Sequence, residues 1–204
     1  MKLEEFNNVY NMSYDQYCDY LTQKYGSGLS DYFTKSWNPN PKCKRTKEGL
    51  FAHHVDEDKM IMLSEKKIAQ MCPFEWQLKD HIVYCDYLEH LFLHSLICKF
   101  PNVNKIPNVD VGIGGVVNFL VPELNDMYSG FPVSQPWKQN CFNVVKNDFD
   151  VYLVIIEYFI KWLKETRKDQ SVSILLTSFN QKFGLWSTDK NEAVFKEIRN
   201  IWNK

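Results

Sequence analysis

Apolar positions along this chain recur at two different periods, and the change of period divides the sequence. Over residues 1–36 the repeat is helical. Ser13-Tyr14-Asp15-Gln16 has the form of a capping start, and Tyr17, Tyr20, Leu21 and Tyr25 follow at helical spacing. Gly26-Ser27-Gly28 breaks that run, and a second short helix is expected over 29–35. Residues 38–47 form a linker of turn residues carrying Lys42, Lys44, Arg45 and Lys47. Residues 49–55 and 81–85 read as strands, from their β-branched and aromatic content. The connection between them has a helical turn near 64–70 and an interruption at Pro73. Asp86, with Glu89 three residues on, opens a helix through a capping box, and Pro101 stops it near residue 100. Gly112-Ile113-Gly114-Gly115 lacks the spacing of a phosphate loop and reads as a turn before a helix from about residue 116. Tyr152, Ile155, Ile156, Phe159 and Leu163 line one side of a long helix over 148–164, and two more helices are expected near 171–183 and 191–202. The predicted fold is α+β and mostly α. It has an N-terminal helical segment and basic linker (1–48), a strand–strand–helix module (49–100) and a C-terminal helical region (101–204).

Composition adds exclusions. The 204 residues carry 24 Lys and Arg against 25 Asp and Glu, a net charge of −1, so bulk positive charge does not hold this chain to nucleic acid. Hydrophobic content of 45% and aromatic content of 15% fit a folded core built from large rings. The first residues lack the apolar stretch of a secretory signal, and the run 151–160 is too short and too charged to cross a bilayer. Six scattered cysteines without a C-x-x-C pair then read as free thiols, so the expectation is a cytoplasmic protein with no membrane partner.

Histidine changes the picture most. The chain has five, His53, His54, His81, His90 and His94, all within one window. His90 and His94 stand four apart on the predicted helix and project from one face, a usual arrangement for binding a transition metal. His53 and His54 are neighbours on a strand and therefore point to opposite faces. At most one of them can join a metal, which leaves the other free to act as a base. Imidazoles that leave one coordination position to water would suit hydrolysis of a phosphodiester.

The stretch Gly49-Leu50-Phe51-Ala52-His53-His54-Val55, followed after a loop by His81-Ile82-Val83-Tyr84-Cys85-Asp86-Tyr87-Leu88-Glu89-His90-Leu91-Phe92-Leu93-His94, resembles the HNH endonucleases of the ββα-metal superfamily. The resemblance covers about residues 49–100. It implies that His53, His90 and His94 ligate one divalent metal ion (Mg, Mn, Zn or Ni) and that His54 is the general base. His81 stands where the family has an asparagine that orients the base, so His81 is expected to take that catalytic role or to become a fourth ligand. The implied activity is hydrolysis of nucleic acid, in the first place double-stranded DNA, by nicking. Cutting both strands would need two modules, which a homodimer would supply. Lys44, Arg45 and Lys47, just before the first strand, are the candidate nucleic-acid-binding residues. Asp56, Glu57 and Asp58, directly after the first strand, could help to bind a metal, but such a run reads first as a solvated turn. The alternative is a non-catalytic protein, with a structural zinc on His53, His81, His90 and His94 or a nuclease-derived surface that only binds DNA.

Overall fold

The computed structural model describes residues 1–204. It is mostly helical, with one small antiparallel sheet, as the sequence pattern predicts. Helices α1 (Leu3–Val9) and α2 (Tyr14–Tyr25) are followed by a long irregular stretch. Strand β1 (Phe51–His54) and strand β2 (Ile82–Cys85) flank a connection that contains the short helix α3 (Lys66–Ala69). Helix α4 (Tyr87–Lys99) follows β2 at once. A π-helical segment, Gly115–Leu120, runs on into α5 (Val121–Tyr128), and α6 (Pro136–Val145), α7 (Phe149–Thr166) and α8 (Glu192–Trp202) complete the chain.

Helix α4 lies at the centre. Asp86 caps it by accepting from the Leu88 and Glu89 amides, and Glu89 accepts in return from the Asp86 amide. Its residues Leu88, Leu91, Phe92, Leu93, Leu96 and Ile97 are fully buried, so the helix is covered around most of its circumference. Neighbours α2, α7, the π-helical segment and the hairpin supply that cover. One hydrophobic cluster reaches from Phe6 through α4 to Ile198, and the ββα unit packs into it.

Four expectations need correction. Residues 29–35 are not a helix. The Tyr32 amide donates to Gln77 O and the Asn40 amide to Tyr32 O, so neighbouring loops hold this stretch extended. Residues 171–183 form two short 3-10 turns, Val172–Leu175 and Asn180–Phe183. There α5 takes the backbone groups that a helix would use: Asn125 donates to Leu175 O and Thr177 O, and Asp126 accepts from the Asn180 amide. His81 is not in a strand. It closes the 3-10 turn Lys79–His81, and β2 begins at Ile82. Finally, α6 is a helix where the sequence pattern marks none, because only Cys141 and Val145 of its ten residues are buried.

Candidate metal centre

Strand alternation divides the two histidines of β1. Pairing of His53 with Val83 and of His54 with Ile82 fixes the register. His53 faces α4, with its ring 5.1 Å from that of His90 and 5.2 Å from that of His94. The two α4 rings stand 4.9 Å apart, one helical turn from each other, so the three imidazoles form a nearly equilateral triangle. His54 faces the other way. Its ring packs 4.4 Å from that of Tyr32, and its Nε2 lies 3.0 Å from Gln77 Oε1. An amide oxygen only accepts, so the ring donates from Nε2 and its basic nitrogen is Nδ1.

After β1 the chain turns through the 3-10 segment Val55–Asp58, which brings Glu57 back beneath His53. His53, Glu57, His90 and His94 then each offer a donor atom, and these atoms all lie within 4.8 Å of one another. Among the pairs, His90 Nε2 lies 3.2 Å from His94 Nε2, His94 Nε2 3.5 Å from Glu57 Oε2, and His53 Nδ1 3.6 Å from Glu57 Oε2. Metal–nitrogen bonds of about 2.0–2.1 Å in a tetrahedron would separate donors by about 3.4 Å. The group therefore has the spacing to hold a metal ion. One nitrogen of each ring, Nδ1 of His53, His90 and His94, is buried without a hydrogen-bond partner, and that of His53 is the one that faces Glu57.

Burial sets the electrostatics. It holds the His53 and His90 rings well below the usual imidazole range, reinforced by their imidazole neighbours, and lowers His94 to about 4. His54 falls to about 4 for the same reason, partly offset by the Gln77 hydrogen bond. Burial pushes the Glu57 carboxyl up to about 8. The rings are therefore neutral at pH 7, the form in which imidazole ligates or accepts a proton.

A cleft of about 420 Å³ opens over this group, and His54 lines it together with all four candidate ligands. Gly112, Gly114 and Gly115 also line it. A Cβ on Gly115 would sit 2.4 Å from His94 Nδ1, so this glycine lets the π-helical segment rest directly on the ligand ring.

The remaining candidates lie elsewhere. His81 is outside the four-donor group and donates from Nδ1 to Asp56 Oδ2 at 2.6 Å. Asp56 and Asp58 are buried rather than solvated. Asp56 also accepts from Lys59, and Asp58 accepts from Asn102. Lys44 and Lys47 are exposed. Arg45 is committed to the protein: it donates to Tyr25 O and Glu48, and its guanidinium lies over the Tyr84 ring. For Glu57 the structure reverses the preferred reading of the acidic run: it is a donor of the group rather than part of a solvated turn. The sequence signals are the acidic run directly after the first strand and the four-residue spacing from His53, which matters only if the chain leaves the strand in a tight turn.

No helix is long and apolar enough to cross a membrane. No family model, curated protein or solved structure matches this chain.

Proposed function

We propose that this protein is a metal-dependent endonuclease that hydrolyses phosphodiester bonds, with DNA as its substrate. The observation that carries the reading is the convergence of His53, Glu57, His90 and His94 on one point in an open cleft, with His54 lining the same cleft from the next position of β1. These four residues would hold the cation. Three imidazoles and one carboxylate suit Zn²⁺, Ni²⁺ or Mn²⁺ better than Mg²⁺, which prefers an all-oxygen octahedron. When bound, the metal supplies Lewis acidity to the phosphate oxygens and the leaving 3′-oxygen. His54 accepts a proton at Nδ1 from the attacking water, and Gln77 keeps its ring in place by accepting from Nε2–H. The exposed Lys44 and Lys47 contribute phosphate contacts that position the strand without reading its sequence. A single copy nicks, and two copies would be needed to cut both strands. The six buried free thiols are in keeping with a reducing compartment such as the cytoplasm.

The test is cleavage of supercoiled plasmid by protein loaded separately with each of the four metals. His54→Ala is expected to keep its metal content and melting temperature while losing about 100-fold or more in nicking rate, the usual contribution of a general base. A variant that nicks as fast as the unaltered protein would overturn the assignment of His54. Glu57 also favours a second reading, because a fourth protein donor can close a tetrahedral shell around a structural metal. In that case the protein binds metal tightly, melts when chelated and leaves plasmid intact with every metal.

A further inference from the structure

We propose that Tyr14, at the start of α2, fixes the proton on His53 so that the nitrogen facing the donor group is free to bind metal. Tyr14 would then be a positioning residue, and the N-terminal helical segment part of the metal centre. The inference rests on the metal-binding part of the reading above and not on nuclease activity.

The argument starts from hydrogen counting. Tyr14 is the first residue of α2, whose start is fixed by a capping box: Ser13 Oγ accepts from the Gln16 amide, and Gln16 Oε1 accepts from the Ser13 amide. The phenol is buried and reaches the end of β1. Its hydroxyl lies 2.9 Å from Val55 O, 3.4 Å from His54 O and 2.9 Å from His53 Nε2. A phenol has one hydrogen to donate, and a carbonyl can only accept. The hydrogen therefore goes to Val55 O. The hydroxyl oxygen then presents a lone pair to His53, and the short contact is a hydrogen bond only if Nε2 carries the ring proton. In a neutral imidazole that leaves Nδ1 with its lone pair. Nδ1 is the atom that is buried, unpartnered and 3.6 Å from Glu57 Oε2. The other tautomer would place a proton among the donor atoms and set two lone pairs against each other at the hydroxyl.

Ligating imidazoles in general use their second nitrogen in this way, and removing the partner costs about 10- to 100-fold in metal affinity. What is particular here is where the partner comes from. It lies 39 residues away, outside the ββα unit, on a helix that contributes nothing else to the donor group.

The first measurement is a long-range ¹H–¹⁵N correlation spectrum of the metal-free protein. It is expected to show His53 protonated at Nε2 and bare at Nδ1, and a His53 protonated at Nδ1 would overturn the proposal. The second is competition for Zn²⁺ between a chelator and the protein. Tyr14→Phe keeps the ring and removes the hydroxyl, and is expected to bind Zn²⁺ about 10- to 100-fold more weakly. Unchanged affinity would overturn the proposal. Should the variant fail to fold, the tautomer of the unaltered protein decides alone. Unaltered protein that binds no Zn²⁺ would overturn the metal reading itself, whereas Zn²⁺ binding by a chain whose metal-free His53 is protonated at Nδ1 would overturn only the role of Tyr14.

Discussion

Gly115→Ala separates the metal centre from the fold in one methyl group. The new Cβ would stand 2.4, 2.5 and 2.7 Å from Nδ1, Cε1 and Cγ of the His94 ring. Carbon contacts are comfortable at about 3.5–4.0 Å, so the ring has to retreat by about 1 Å. Metal ligands tolerate only about 0.2 Å, so His94 leaves the donor group. A loss of about 100-fold in affinity is a reasonable floor, since even removing the partner of a ligand can cost that much. At a Zn²⁺ concentration 100 times the original Kd, binding stabilises the unaltered protein by about 2.7 kcal/mol, and the variant by only about 0.4 kcal/mol. For a chain of this size each kcal/mol moves the melting temperature by about 2–4 °C, so a gain of about 5–11 °C on adding Zn²⁺ shrinks to about 1–2 °C. Without metal the effects oppose each other. Alanine favours the helix by up to about 1 kcal/mol, and the crowding costs about 1–3 kcal/mol. Melting curves with and without Zn²⁺ read both quantities. A variant that keeps the full Zn²⁺-induced rise would refute the idea that Gly115 makes room for the ligand ring.

Two further outcomes follow, one beside the centre and one in the C-terminal region. His81→Ala is expected to leave the metal content unchanged by elemental analysis, because His81 pairs with Asp56 and lies outside the donor group; loss of metal would bring His81 back as a ligand. Asp126→Ala is expected to cost about 3 kcal/mol in a urea titration, since its carboxylate accepts from the Asn180 amide, Asn180 Nδ2 and Asn191 Nδ2, and an orphaned buried donor costs about 1–3 kcal/mol. An unchanged midpoint would show that this network does not hold the 180s loops against α5.

The parts of the site that a sequence can show are those set by short-range periodicity. The spacing of four between His90 and His94, the alternation of His53 and His54, and the capping box at Asp86 all follow from the period of a regular element, and the structure brings His53, His90 and His94 together accordingly. Glu57 is only half legible: the acidic run after the first strand marks it as a possible metal binder, but its direction depends on a 3-10 turn, and an Asp-Glu-Asp run looks solvated until its partners are known. Those partners come from afar: His81 for Asp56 and Asn102 for Asp58. Tyr14 and Gln77 were hidden for the same reason, as each meets its histidine only through tertiary packing. The missing helix at 29–35 and the two turns in 171–183 are further cases in which distant groups claimed backbone hydrogen bonds that local pattern assigned to a helix.

Most of α4 is buried, so its amides are expected to exchange with deuterium only through large-scale opening. The imidazoles it carries, by contrast, border an open cleft. Ion exchange and backbone exchange are thus expected to run on separate clocks: a metal held there would leave to a chelator through the mouth of the cleft while the amides of the middle helix stay protected.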